Sequence, residues 1–146
     1  MAFGPNPPPI QAHICVKGGA DAIAFYEKAF GAVCTMKHMA EDGQRVMHAN
    51  VEMFDGEVML HDDFPEFGSD VQPPSNLGGT SMTINVNRPK ASDVDAIVAR
   101  AQAAGATVTL DPQDVFWGSR YAKLRDPFGH VWAFNAPLSK AEGQSS

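Results

Sequence analysis

Cysteine is scarce in this sequence: only Cys15 and Cys34 occur among 146 residues. Two thiols cannot build a disulfide framework, so the expectation is a protein of a reducing cytoplasm. Long apolar runs are also missing. None approaches the roughly 20 residues that a helix needs to span a bilayer, so no membrane partner is expected. The opening stretch, MAFGPNPPP, has neither a basic start nor an apolar segment and does not read as a secretory signal. Basic residues are few, 11 against 17 acidic ones, and the net charge is −6. They are scattered rather than gathered into a stripe, which argues against nucleic acid as a partner. Gly18-Gly19 and Gly78-Gly79 lack the spacing and following lysine of a phosphate loop. No serine-nucleophile elbow is present, and no Cys-His pair stands at a credible place for a nucleophile.

What the chain does contain is an internal repeat. Asp21 to Ala32 (DAIAFYEKAFGA) and Asp95 to Ala106 (DAIVARAQAAGA) align without a gap at an offset of 74, with six of twelve positions identical. Each copy reads as an amphipathic helix stopped by a glycine, Gly31 or Gly105. A strand-like run precedes each, and several follow. The pattern predicts an α+β protein of two βαβββ modules that form a curved mixed sheet around a cleft. At 44% hydrophobic residues the chain has enough apolar material for one packed domain.

The expected organisation is a proline-rich arm at 1–9 and a single domain at 10–137, followed by a flexible tail at 138–146. Within the domain, module one covers 10–62, a linker 63–78, and module two 79–137. Strand patterns fall at Ile10–Lys17, Val33–Ala40, Arg45–Phe54, Glu57–Asp62, Thr80–Arg88, Thr107–Leu110, Tyr121–Arg125 and Val131–Asn135. Asp55-Gly56 is a hairpin signal. Helix one is expected over about Ala20–Phe30, with Ile23, Tyr26 and Phe30 aligned on one side. Helix two carries Val94, Ile97, Val98 and Ala101 on its apolar stripe. Ser92 is its expected N-cap, with Asp95 three residues on. The linker, rich in Pro, Gly, Ser and Asp, reads as a plain crossover or as a lid.

These motifs resemble the vicinal oxygen chelate superfamily of glyoxalase I, bleomycin- and fosfomycin-resistance proteins and extradiol dioxygenases. The carrying stretches are AIAFYEKAFGA (22–32), DGQRVMHANVEMFDGEVMLHDD (42–63), DVDAIVARAQAAGA (93–106) and FWGSRYAKLRDPFGHVWAF (116–134). Together they look like the PhnB-like branch. The resemblance implies a glyoxalase-like fold, a homodimer, and one divalent metal (Zn, Ni, Fe or Mn) held by residues of the first and last strand of each half. Carried over by position, the implied metal ligands are Gln11 or His13 in the first strand and His61 at the end of the first half. The second half's first strand offers only Ser81, Thr83 and Asn85. Its last strand has Ala133 where the family commonly has a glutamate. The set is incomplete, and a protein without any metal is an equally open expectation.

Alternation adds further candidates. His48, Asn50 and Glu52 share the polar face of one strand, opposite Met47, Ala49, Val51 and Met53. His48 is a candidate for proton transfer or ligand contact, with Glu52 as a candidate base; solvated strand residues are the alternative. Trp117, Arg120 and Tyr121, in the run Phe116 to Tyr121, are candidates for gripping a flat or anionic small molecule. The alternative there is a packed loop whose Arg120 pairs with an acid. Trp132 and Phe134 are expected in the core, and His130 is expected to be structural. Two functions remain open. One is an enzyme of lyase or dioxygenase type with an unusual metal site. The other is a non-catalytic protein that sequesters a drug or metabolite.

Overall fold

The structure is a computed structural model and describes residues 7–138. Most of the expected arm and all but the first residue of the expected tail therefore lie outside the described residues. The chain divides into two compact units, one ending at Gly79 and one starting at Thr80.

The first unit contains β1 (His13–Cys15), α1 (Gly19–Phe30), β2 (Val33–Met39), β3 (Val46–Met53) and β4 (Gly56–His61). Its strands lie in the order β1-β4-β3-β2, with β1 parallel to β4 and the other pairs antiparallel. The second unit repeats this plan with β5 (Thr83–Asn87), α3 (Ala91–Ala104), β6 (Thr107–Val115), β7 (Ser119–Arg125) and β8 (Val131–Pro137), in the order β5-β8-β7-β6. The duplicated helices thus sit in duplicated βαβββ units of an α+β fold.

Each sheet has one face packed under its helix. In the first, Ile14, Val16, Ala49, Val51, Met53, Val58 and Leu60 are buried. They meet Ala22, Ile23, Phe25, Tyr26, Ala29 and Phe30 of α1, which are buried as well. Tyr26 stacks on Phe30 with ring centroids 5.8 Å apart. Gly31 ends α1 at φ 68, a conformation open to glycine, and its N–H bonds to Glu27 O at 3.1 Å. In the second unit, Val94, Val98 and Ala101 of α3 are buried, together with Trp132 and Phe134 of β8.

Several local expectations are corrected. The β3–β4 hairpin turns on Phe54 and Asp55, both at positive φ, and Gly56 already belongs to β4. Phe54 bears that strained backbone while its ring packs 5.2 Å from Phe30. Met47 is exposed and Val46 is buried, because a register shift between His38 and Met39 reverses the alternation there. Ser92 is not the cap of α3. The helix starts at Ala91, and Asp93 accepts a bond from the Lys90 N–H at 3.3 Å. β6 continues through Pro112 to Val115, so Phe116 to Gly118 is a tight hairpin and not a long loop. A proline is tolerated because β6 is an edge strand with irregular register around Leu110 to Gln113. The linker is structured as well. It holds a 3-10 turn (Pro65–Phe67) and a short α2 (Pro74–Leu77), and Lys17 Nζ donates to Asn76 Oδ1 at 2.8 Å.

Candidate functional site

The face of the first sheet away from α1 is polar and half-exposed. Strand register builds it in rows. Gln11 lies one step before the His13↔Met59 pair, and Glu57 faces Glu52 across β4 and β3. The next row is His13, Met59, Asn50 and Met36. Cys15 pairs with His61, and His38 pairs with His48, to form the last.

Side chains then draw three of the histidines together. The His13 ring lies 5.2 Å from His48 and 4.9 Å from His61, edge-on to both. His61 Nδ1 lies 2.7 Å from the Asp62 carbonyl oxygen. Only a protonated Nδ1 can donate there, so Nε2 keeps the lone pair. His48 Nε2 lies 2.8 Å from Asn50 Oδ1, and the same logic leaves its Nδ1 as an acceptor. Burial, then the neighbouring imidazoles of His61 and His48, holds His13 below the usual histidine range. Of the proposed catalytic pair, His48 bonds to Asn50, and Glu52 stands four residues further along the same strand. Gln11 does not point to the imidazoles; its Nε2 donates to Glu57 Oε1 at 2.7 Å.

One carboxylate that sequence reasoning did not single out organises this end of the unit. Asp62 is 4% exposed. Its Oδ1 accepts from Gly18 N at 2.7 Å, and its Oδ2 accepts from Gly19 N at 2.9 Å and Val46 N at 2.8 Å. Lying just past the end of β4, it caps the start of α1, and its own carbonyl accepts the His61 Nδ1–H.

In the second unit the proposed binding residues separate. Trp117 and Tyr121 come together, with ring centroids 5.3 Å apart, and Trp117 Nε1 donates to Asn135 Oδ1 at 3.1 Å. Phe116, at the hairpin tip, is 96% exposed. Arg120 alternates to the other face. There it pairs with Asp95 of α3 at 3.0 Å and Asp114 of β6 at 3.1 Å. It lines a recess of about 380 Å³ with Ala91, Ser92 and Leu138, away from the two aromatics. Asp126, in the turn between β7 and β8, is 3% exposed and accepts from Phe128 N, His130 N and the Trp132 indole at 2.9–3.0 Å.

A family model for the glyoxalase/bleomycin resistance protein/dioxygenase superfamily matches residues 10–134. The chain belongs to that superfamily. An uncharacterized protein of Mycobacterium tuberculosis is 41% identical over 132 residues, covering 90% of this chain and 75% of the relative. Among solved structures, TioX from Micromonospora sp. ML1 is similar at TM-score 0.66 and 26% identity, over 90% of this chain and 98% of that one. A PhnB protein from Bacillus cereus shares the fold at TM-score 0.65 and 16% identity, over 90% and 100%.

Superfamily membership raises the question of a divalent metal, and the donors do not fit one as they stand. Gln11 is engaged by Glu57, and Ala133, 1% exposed, offers a methyl group. Among the described residues no three His, Cys, Asp or Glu side chains are disposed to hold an ion. Also among the described residues, no helix is long and apolar enough to cross a membrane.

Proposed function

We propose that this superfamily member binds a small organic molecule on the polar face of its first sheet, with His13, His48 and His61 as the contacting groups. The carrying observation is the cluster itself: on a half-exposed surface the His13 ring lies edge-on to both His48 and His61, with His48 bonded to Asn50 and His61 to the Asp62 carbonyl. Neutral imidazoles with defined lone pairs orient a ligand by directed hydrogen bonds. Trp117 and Tyr121 form a separate aromatic surface suited to a flat group. Arg120 supports that hairpin through α3.

A screen of small organic molecules, followed through histidine side-chain resonances, tests this reading. Hits should shift His13, His48 and His61 together, and His13→Ala should abolish those shifts. Hits that move only residues elsewhere would refute the assignment. Stoichiometric Ni²⁺, Zn²⁺, Fe²⁺ or Mn²⁺ raising the melting temperature by many degrees would show instead that the imidazoles serve an ion.

A second reading, turnover, is favoured by one observation. His13 is held neutral near physiological pH and is therefore a competent proton acceptor. A hit consumed by the wild-type protein but not by His13→Ala would establish turnover, of lyase or dioxygenase type, over sequestration. We also propose a homodimer, on superfamily grounds; light scattering that gives a monomer mass would exclude it.

A further inference from the structure

We propose that the molecule held on the histidine face is an organic cation: an aliphatic amine that reaches from Glu57 to the imidazoles. This rests on the small-molecule reading above and supplies its ligand chemistry.

The argument is an account of donors and acceptors. Glu57 Oε1 takes the Gln11 amide, but Glu57 Oε2 is buried with no hydrogen-bond partner. A buried acceptor left unpaired is costly. A protonated amine brought to Glu57 supplies the donor that this oxygen lacks. At the far end of the face, His61 Nε2 and His48 Nδ1 present lone pairs, because their other nitrogens donate to Asp62 O and Asn50 Oδ1. Both ends therefore offer acceptors. A dicarboxylate or a phosphate would meet acceptors at both of these ends. Met59 and Met36 occupy the row between, with Asn50, and thioethers pack well along a methylene chain. Glu57 and His61 are four residues apart on β4, about 13 Å at strand rise. An eight-carbon chain with a hydrogen bond at each end covers that span.

The test uses octane-1,8-diamine as probe, with octane-1,8-diol and suberate as controls of equal length. Each is titrated into the full-length protein and followed by backbone and histidine resonances. The diamine should shift Glu57, Met59, His48 and His61 to saturation, while the diol and the dicarboxylate should not. Glu57→Gln should weaken the diamine about tenfold or more while melting as the parent does. Glu52→Gln, as a second variant, should weaken it less. Tighter binding of suberate or of the diol would overturn the cation and leave the histidine-face reading intact. Diamine shifts that are unchanged in Glu57→Gln would overturn it as well. So would silence from all three probes, whereas the unbiased screen above decides the broader reading independently.

Discussion

Replacing Gly19 by alanine sets two rules against each other. Helix propensity alone favours alanine over glycine by about 1 kcal/mol. Gly19 is the first residue of α1 and is not at positive φ, so the backbone permits the change. Space does not. An added Cβ would lie 2.6 Å from Asp62 Oδ2 and 2.8 Å from Val46 Cβ. Asp62 cannot simply swing aside, since its Oδ2 holds the N–H groups of Gly19 and Val46. Hydrogen bonds to a charged acceptor contribute about 1.5–3 kcal/mol each. Losing one and straining the other outweighs the propensity gain, for a net loss of roughly 2–3 kcal/mol. For a chain of this size that lowers Tm by roughly 5–10 °C. Urea and thermal unfolding measure it directly, with Ala20→Gly at the neighbouring exposed position as a control that costs only about 0.5–1 kcal/mol. A Gly19→Ala protein as stable as its parent would refute the claim that Asp62 is pinned.

Asp126→Ala should cost about 3 kcal/mol or more, by stranding two backbone N–H groups and the buried Trp132 indole; a changed near-ultraviolet tryptophan signal should accompany the lower Tm. Cys15 is buried, and burial, then Asp63 and Asp62, pushes its thiol up to about 11. A thiol reagent at neutral pH should therefore modify at most Cys34 in the native protein, and Cys15 only after denaturation. His13 is held below its unfolded value, so the unfolded chain binds the extra proton first and stability falls as pH drops below about 6.5. His61→Gln should raise the His13 pKa by removing a repelling neighbour, as NMR titration would show. Phe116→Ala should change stability by no more than about 0.5 kcal/mol, since that ring is 96% exposed.

The parts of the fold legible in the sequence were those written in periodic side chains. The glycine-stopped helices, the alternation of Ala49, Val51 and Met53, and the core placement of Trp132 and Phe134 all follow from spacing alone. Errors arose where one residue shifts a register. Pro112 looks like a strand breaker until the strand is known to be at an edge, and the bulge that turns Met47 outward leaves no compositional mark. The histidine face could be read as three inward positions, but not that His13 would touch both others. Asp62 was missed because its partners lie 16, 43 and 44 residues away, and nothing local distinguishes it from Asp63. Of the two readings of Arg120, the structure shows the acid pairing: Arg120 sits one position from Tyr121 in a strand, which turns it to the other face, toward Asp95 and Asp114.

The proline in β6 also guards the rim of the second sheet. An outermost strand ordinarily presents an open row of amides to which a neighbouring chain can attach. Pro112 has no hydrogen to offer an arriving strand, and the uneven register around it breaks the even spacing that templated growth demands. Asp111 and Asp114 add charge beside the gap. The residue that most disguised this strand is therefore the one that withholds an amide from any chain arriving along that side.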